Sequence, residues 1–295
     1  MALSEKRKGE WFIFSATGIG AFFPIITVLS LTNIPPLISL GWSTALSALF
    51  FGLFVLYKKA WVEFGNPILW KYIFFVVLFI GLLTYGLVFF ALEKTTPGNV
   101  AIIELFAVFT SFLFFNVWRR ERISFEYKIG AILMVLGALI VLAPGFASVN
   151  IGDLLVLAAM FCTPLGNFYQ QKAREVASSE TIMFLRSVIS APIIFLIAYA
   201  VGSHSSLQNI QAALPFLFIN GVVILGLSKI FWIEGIHRIL VTKAEAFNSV
   251  GPFLTLLLAF VILHQTPTVW QLASLVPLIL GVLLLTDHLK LSRRF

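Results

Sequence analysis

The sequence predicts an all-α membrane protein: ten transmembrane helices forming two inverted five-helix repeats around a central cavity. Three observations lead there. First, the 295 residues are 60% hydrophobic and only 11% charged, with 31 Phe and a mean hydropathy of +1.00, whereas soluble domains carry about a quarter charged residues. Second, apolar runs of about 20 residues, the length that crosses a bilayer, recur along the chain and are separated by turn chemistry. Third, the order of spans and breaks repeats with an offset of 144 residues while the charged loops change sides.

The spans are placed at 10–31, 36–57, 68–92, 97–117, 125–143, 152–171, 180–201, 211–236, 242–263 and 268–288. The first follows Lys6-Arg7-Lys8, but it is too long for a signal peptide and shows no small-x-small cleavage site. It ends at Asn33-Ile34-Pro35-Pro36, which opens the second span. Gly65-Asn66-Pro67 opens the third and Thr95-Thr96-Pro97-Gly98 the fourth. A basic loop with Arg119, Arg120, Arg122 and Lys128 precedes the fifth, Pro144-Gly145 precedes the sixth, Lys172 and Arg174 precede the seventh, and an uncharged stretch at 202–211 precedes the eighth. Arg238 and Lys243 flank the turn into the ninth, and Thr266-Pro267 opens the tenth. No linker is long enough for a soluble domain.

Charge orients the chain. Of 20 Lys and Arg, 17 lie at the N-terminus, the C-terminus and the loops at 57–71, 118–128, 172–174 and 238–243. The intervening loops hold only Lys94, and Arg186 and Lys229 lie within spans. The positive-inside rule then predicts both termini in the cytoplasm of a multi-pass protein of an inner (plasma) membrane. The +7 formal charge is thus a topology signal, and the expected partners are the lipid bilayer and a small-molecule substrate, with no nucleic acid; the chain is a monomer or homodimer.

The halves, 1–145 and 146–295, each hold five spans, and an odd number per repeat forces opposite orientations. The offset carries Gly20 to Pro164, Ser43 to Ser187, Phe109 to Phe253, Leu113 to Leu257 and Gly137 to Gly281. Inverted repeats are the architecture of secondary transporters, whose binding sites sit at mid-depth where helices are interrupted. Gly18, Gly20 and Pro24 in the first span, Pro164 and Gly166 in the sixth, and Gly251-Pro252 in the ninth are the expected hinge or gating positions; isolated Gly and Pro otherwise serve only close packing or a mild kink.

Ala91-Leu92-Glu93-Lys94, Phe106-Ala107-Val108-Phe109, Arg120-Glu121-Arg122-Ile123 and Gly130 to Gly137 form a pattern that returns in the second half. There it reads Gly235-Ile236-His237-Arg238, Lys243-Ala244-Glu245-Ala246, Gly251-Pro252-Phe253, His264-Gln265-Thr266-Pro267 and Gly281. The whole chain thereby resembles the drug/metabolite transporter superfamily in its EamA form. It departs where Gln265 stands as the counterpart of Glu121 and where Phe106-Ala107-Val108 replaces the proline typical of the fourth span. The resemblance implies a cavity lined by spans 1, 3, 4, 6, 8 and 9, with spans 5 and 10 peripheral, and it favours export.

Ionisable groups inside a membrane are costly and each requires an account. Glu104 lies two turns into the fourth span, about 10 Å deep, and Lys229 two turns from the cytoplasmic end of the eighth. The offset pairs Glu104 with Asn248 and Lys229 with Tyr85. Lys229 is expected to meet a substrate carboxylate and Glu104 an amine or a proton, with Tyr85, Asn248, Thr17 and Asn167 supplying neutral hydrogen bonds. The alternative is a Glu104–Lys229 ion pair that locks spans 4 and 8 together. Trp42 and Trp232 lie deep enough to line the cavity or stack on a cation, with lipid-facing packing the alternative for each, while Trp11, Trp61, Trp70, Trp118 and Trp270 read as interfacial anchors. Arg186 is expected to snorkel or to pack between helices near the cytoplasmic face, and Glu234, Glu245, Arg238 and Lys243 to form a solvated surface network or a cytoplasmic gate.

Enzyme signatures are missing: the sequence has no Gly-x-Ser-x-Gly, no His-Glu-x-x-His and no phosphate loop. Four scattered His and one Cys, Cys162, predict neither metal nor cofactor. The expectation is a secondary transporter of a small polar or zwitterionic metabolite, an amino acid or related amine first, working by proton-coupled or facilitated alternating access. An anionic or phosphorylated metabolite on the same fold is the second reading, and a membrane-embedded lipid-handling protein a remote third.

Overall fold

The computed structural model describes residues 5–114, 125–142 and 150–285, and every regular element among them is helical. Trp118, Glu121 and Pro144-Gly145 lie outside the described residues. The first half contains α1 (Glu5–Gly20), α2 (Phe23–Leu31), α3 (Pro36–Tyr57), α4 (Pro67–Val76), α5 (Tyr85–Leu92), α6 (Pro97–Glu104), α7 (Phe106–Phe112) and α8 (Phe125–Leu142). The second contains α9 (Ile151–Arg174), α10 (Ser179–Ala200), α11 (Leu207–Phe218), α12 (Ser228–Arg238), α13 (Val241–Asn248), α14 (Gly251–Leu263) and α15 (Val269–Leu285). Among the described residues, six stretches are long and apolar enough, end to end, to cross a membrane: Glu5–Leu31, Pro36–Tyr57, Pro67–Leu92, Ile151–Arg174, Ser179–Ala200 and Leu207–Arg238. Pro97–Phe112, Lys128–Leu142, Gly251–Leu263 and Val269–Leu284 are shorter apolar helices.

The expected punctuation starts the helices. Asn66 caps α4, its side chain accepting from the Ile68 amide at 3.0 Å with Pro67 at the first turn. Thr96 caps α6, Asn150 α9, Ser178 α10 and Ser206 α11 in the same way. A polar side chain thus satisfies one of the amides that every helix start leaves without an internal partner, which matters most where water is scarce.

Helices pair according to the repeat. α3 lies along α10 and α8 along α15; α1 packs on α12, as α5 packs on α9. The 144-residue offset maps each of the first two pairs onto itself and exchanges the other two. Small residues set the close approaches: a Cβ on Gly137 would overlap Leu278, and one on Gly281 would lie 2.9 Å from the Gly130 carbonyl oxygen. The offset-related glycines therefore both serve the α8–α15 contact, as close helix packing in lipid requires. The largest buried cluster, including Phe89, Ile102, Ile103 and Met134, surrounds α5, α6 and α8.

Three spans are interrupted by breaks and two more by π-helix. The first breaks at Ala21-Phe22, between α1 and α2, just before Pro24. The ninth breaks at Ser249-Val250, and Pro252 opens α14. The fourth breaks at Leu105, where the Leu105 amide bonds the Ile102 carbonyl and the Val108 amide the Leu105 carbonyl, both at 3.1 Å; three-residue spacing tightens the helix for one turn. In the third and eighth spans the backbone widens into π-helix at Val77–Thr84 and Ile219–Leu227.

The sixth span corrects the expectation of an interruption. α9 runs through Pro164 without a break. Proline removes the amide that would reach the carbonyl four residues earlier, and that carbonyl, of Met160, instead accepts the Thr110 hydroxyl of α7 at 2.6 Å. With its orphan acceptor satisfied by a neighbouring helix, the kinked position stays helical. Gly166 next to it is a packing glycine, because a Cβ there would overlap Ile80 of the first π-helical stretch.

Candidate functional site

A cavity of about 130 Å³ sits where the broken and widened helices meet. Spans 1, 3, 4, 6, 8 and 9 line it, the six that the resemblance implied. The breaks deliver the principal side chains. Glu104 is the last residue of α6 and Asn248 the last of α13, so the repeat-related pair ends two half-helices at one cavity. Tyr85 directly follows the first π-helical stretch and Lys229 follows the second by one residue, and both line the cavity. Widened helical turns of this kind re-aim the side chains that follow them and recur at functional sites.

Glu104 and Lys229 face the same space. The described ion pairs within 4.0 Å lie elsewhere in the chain, although the Lys229 charge acts on Glu104 across the cavity. A direct ion pair locking spans 4 and 8 is therefore not the arrangement found. The carboxylate stands at the C-terminal end of α6, where helix carbonyls concentrate partial negative charge and favour a cation.

Neutral groups complete the walls. The Thr17 hydroxyl lies 2.9 Å from both the Ile13 carbonyl and Asn248 Oδ1, joining α1 to α13. Trp232 Nε1 donates to Asn167 Oδ1 at 3.0 Å and ties α12 to α9. Gly20, Gly251 and Pro252 also line the cavity. A Cβ on Gly20 would meet only Ser228 Oγ, at 3.9 Å, and one on Gly18 would meet nothing within 4 Å. Gly18, Pro24, Pro164 and Gly166 stand outside the lining.

Trp42 is a correction. It is 37% exposed and packs edge-on against Phe195 of α10, ring centroids 5.7 Å apart, away from the cavity. On α3, a helix paired along its length with α10, the indole turns to the outer face.

Arg186 takes the second of its two expected roles, packing between helices. It does not snorkel: it is 3% exposed, donates from Nη2 to the Leu225 carbonyl at 3.1 Å, and holds its Cζ 5.5 Å from the centre of the Tyr85 ring. Its position in the second turn of α10 places it too deep, and too tightly walled by the two π-helical stretches, for the side chain to reach water.

The expected solvated network is likewise largely enclosed. The Glu234 side chain is 14% exposed and binds Arg174 at 2.7 Å as well as Ser179 and Arg238. Glu5 reaches Arg238 at 3.1 Å and Glu10 reaches Lys243 at 2.8 Å, so α1, α9, α10, α12 and α13 are laced together at one end of the bundle. The Glu245 side chain lies outside the described residues.

Four polar lining residues escape a reading based on charge and aromatic depth: Thr84, Thr163, Gln170 and Thr255. Gln170 is buried, and its Oε1 has no protein partner among the described residues. A signal existed: Thr163, Asn167 and Gln170 stand at i, i+4 and i+7, one face of α9.

Comparison with known proteins agrees with this architecture. The EamA-like transporter family matches residues 7–143 and again 150–287. An uncharacterized transporter of Synechocystis, sll1164, is 23% identical over 70% of this chain, and the match spans 63% of that protein's length. The uncharacterized transporter YyaM of Bacillus subtilis is 23% identical over 75% of this chain and 74% of its own. A protein solved by crystallography superposes with a TM-score of 0.71 at 17% identity, over 96% of this chain and 97% of its own, which speaks to fold alone. With two family matches together spanning nearly the whole chain, this multi-pass membrane protein belongs to the EamA-like transporter family of the drug/metabolite transporter superfamily.

Proposed function

We propose that the chain is a secondary transporter that moves a small zwitterionic metabolite, an amino acid or related amine, by alternating access. It has ten spans in two inverted halves, 1–145 and 146–295, and both termini lie in the cytoplasm of an inner membrane. The observation that carries this reading is the pair of opposite charges, Glu104 and Lys229, that line one cavity without binding each other directly. Charges held apart in a low-dielectric site are expensive unless a ligand completes them. Lys229 takes the carboxylate; Glu104 and the unpartnered Gln170 Oε1 take the ammonium. Asn248, Thr17, Asn167, Tyr85 and Trp232 orient the ligand.

When the ligand leaves, a proton on Glu104 replaces the ammonium, which couples transport to the proton gradient in the direction of export. The breaks at Ala21-Phe22, Leu105 and Ser249-Val250 are the hinges; Gly18, Gly20, Pro24, Pro164, Gly166, Gly251 and Pro252 cluster around them or on the facing helix. The unit is a monomer or homodimer embedded in lipid.

A ligand screen by thermal stabilisation of the purified protein tests the reading, because a ligand bound only to the folded state raises its melting temperature by mass action. Amino acids or amines are expected to raise it. If only a phosphorylated metabolite does, the second reading, an anion exchanger on the same fold, replaces this one.

A further inference from the structure

Arg186 stands behind the cavity wall with no carboxylate within 4.0 Å among the described residues. Its Nη2 bonds the Leu225 carbonyl of the second π-helical stretch, its Cγ lies 3.7 Å from a Cβ built on Gly81 of the first, and its Cζ sits over the Tyr85 ring. Nη1 is buried and has no partner among the described residues, and the same holds for Ser190 Oγ one turn along α10. The groups that face this guanidinium from α5, α10 and the two π-helical stretches are thus a phenol, a hydroxyl and a backbone carbonyl, and none is acidic. Carbonyl dipoles and a π face soften the cost of a buried cation without cancelling its charge.

Counted at the depth of the cavity, the bundle holds Lys229 and Arg186 against Glu104. Among the described residues the other carboxylate buried in the bundle, Asp153, sits in the first turn of α9, where Thr95 and Asn99 bind it. One positive charge is therefore left over beside the ligand. Tyr85 lines the cavity and holds its ring beside this guanidinium, so the positive charge acts on an anion bound at the phenol hydroxyl.

Building on the zwitterion reading above, we propose that Arg186 is a specificity-determining positioning residue. It makes the cavity select an amino acid bearing one additional anionic group, the amino dicarboxylate class. The α-carboxylate and ammonium meet Lys229 and Glu104, while the second carboxylate accepts from the Tyr85 hydroxyl with the Arg186 charge behind it.

The experiment measures binding of glutamate, aspartate and their neutral amides, glutamine and asparagine, to the purified full-length protein by thermal stabilisation and calorimetry. The wild type is expected to prefer each acid over its amide by about tenfold or more, the size of effect that one well-placed charge gives. Arg186→Met is expected to erase that preference while retaining the amides, and Arg186→Lys to restore most of it. Tyr85→Phe, which keeps the ring, is expected to weaken the acids more than the amides and so to lower the ratio. Equal or better wild-type binding of the amides overturns this proposal and leaves the zwitterion reading standing, whereas failure of all four together with binding of a phosphorylated metabolite sinks both. Should Arg186→Met not fold, the wild-type ratio and Tyr85→Phe decide; an unchanged ratio in Tyr85→Phe or in a folded Arg186→Met counts against it.

Discussion

At the scale of single residues, one polar side chain inside the bundle supplies a missing hydrogen bond and another, on the proposed reading, carries a proton. Thr110 illustrates the first case. Its hydroxyl is what Met160 receives in place of the amide that Pro164 lacks, so Thr110→Val should leave that carbonyl unsatisfied. The expected cost is about 1–3 kcal/mol of stability, seen as a lower melting temperature with ligand affinity nearly intact. Glu104 illustrates the second. Glu104→Gln should fold normally, since no direct ion pair is lost, yet transport into proteoliposomes should lose its dependence on the pH gradient. Loss of folded protein instead would assign the carboxylate a structural role.

Elements explain why some of the site was legible in the sequence and some was not. Proline and glycine announce a break chemically, so the interruptions before Pro24 and Pro252 could be read directly. The break at Leu105 has no such marker: Glu104-Leu105-Phe106 contains ordinary helix formers, and tertiary contacts make that turn. The π-helical stretches are likewise invisible to periodicity, because Val77–Thr84 and Ile219–Leu227 are apolar apart from Thr84 and Asn220 and show no stripe to follow. Pro164 misled for the converse reason: its partner Thr110 is 54 residues away in the chain, and local sequence reveals the missing donor without the replacement. The buried ionisable groups were legible because cost in lipid singles them out; Trp42 was not excluded because depth along a helix says nothing about which way a side chain faces. Packing of the π-helical stretches gives a prediction at this scale. A Cβ on Gly221 would overlap the Ser43 backbone carbonyl, so Gly221→Ala should force α3 and the eighth span apart and lower the melting temperature by several degrees, more than Gly18→Ala, where nothing lies within reach.

Orientation and closure belong to the whole molecule. With Cys162 replaced by Ser, single cysteines introduced at Lys58 and at Lys94 should behave oppositely in intact cells toward a membrane-impermeant maleimide: the second labels and the first does not. The reverse result would invert the proposed topology. The laced end of the bundle supplies another test. Glu234 holds α12 to α9 and α10, so Glu234→Gln should ease separation of those helices and raise labelling of Cys162 from that side, with a modest loss of stability.

The two halves also differ where they would most be expected to match. The chain end of α6 carries an acid and its counterpart on α13 an amide; the residue after one π-helical stretch is a phenol and near the other an amine. Identical halves would offer a guest two equivalent poses related by the internal axis, and turning it over would change nothing. Here one half contributes the negative pole and the other the positive, so the cavity has a head and a tail. On the proposed reading, a dipolar guest then takes one of those two poses and not the other. A single direction of binding follows from the divergence of a duplicated scaffold.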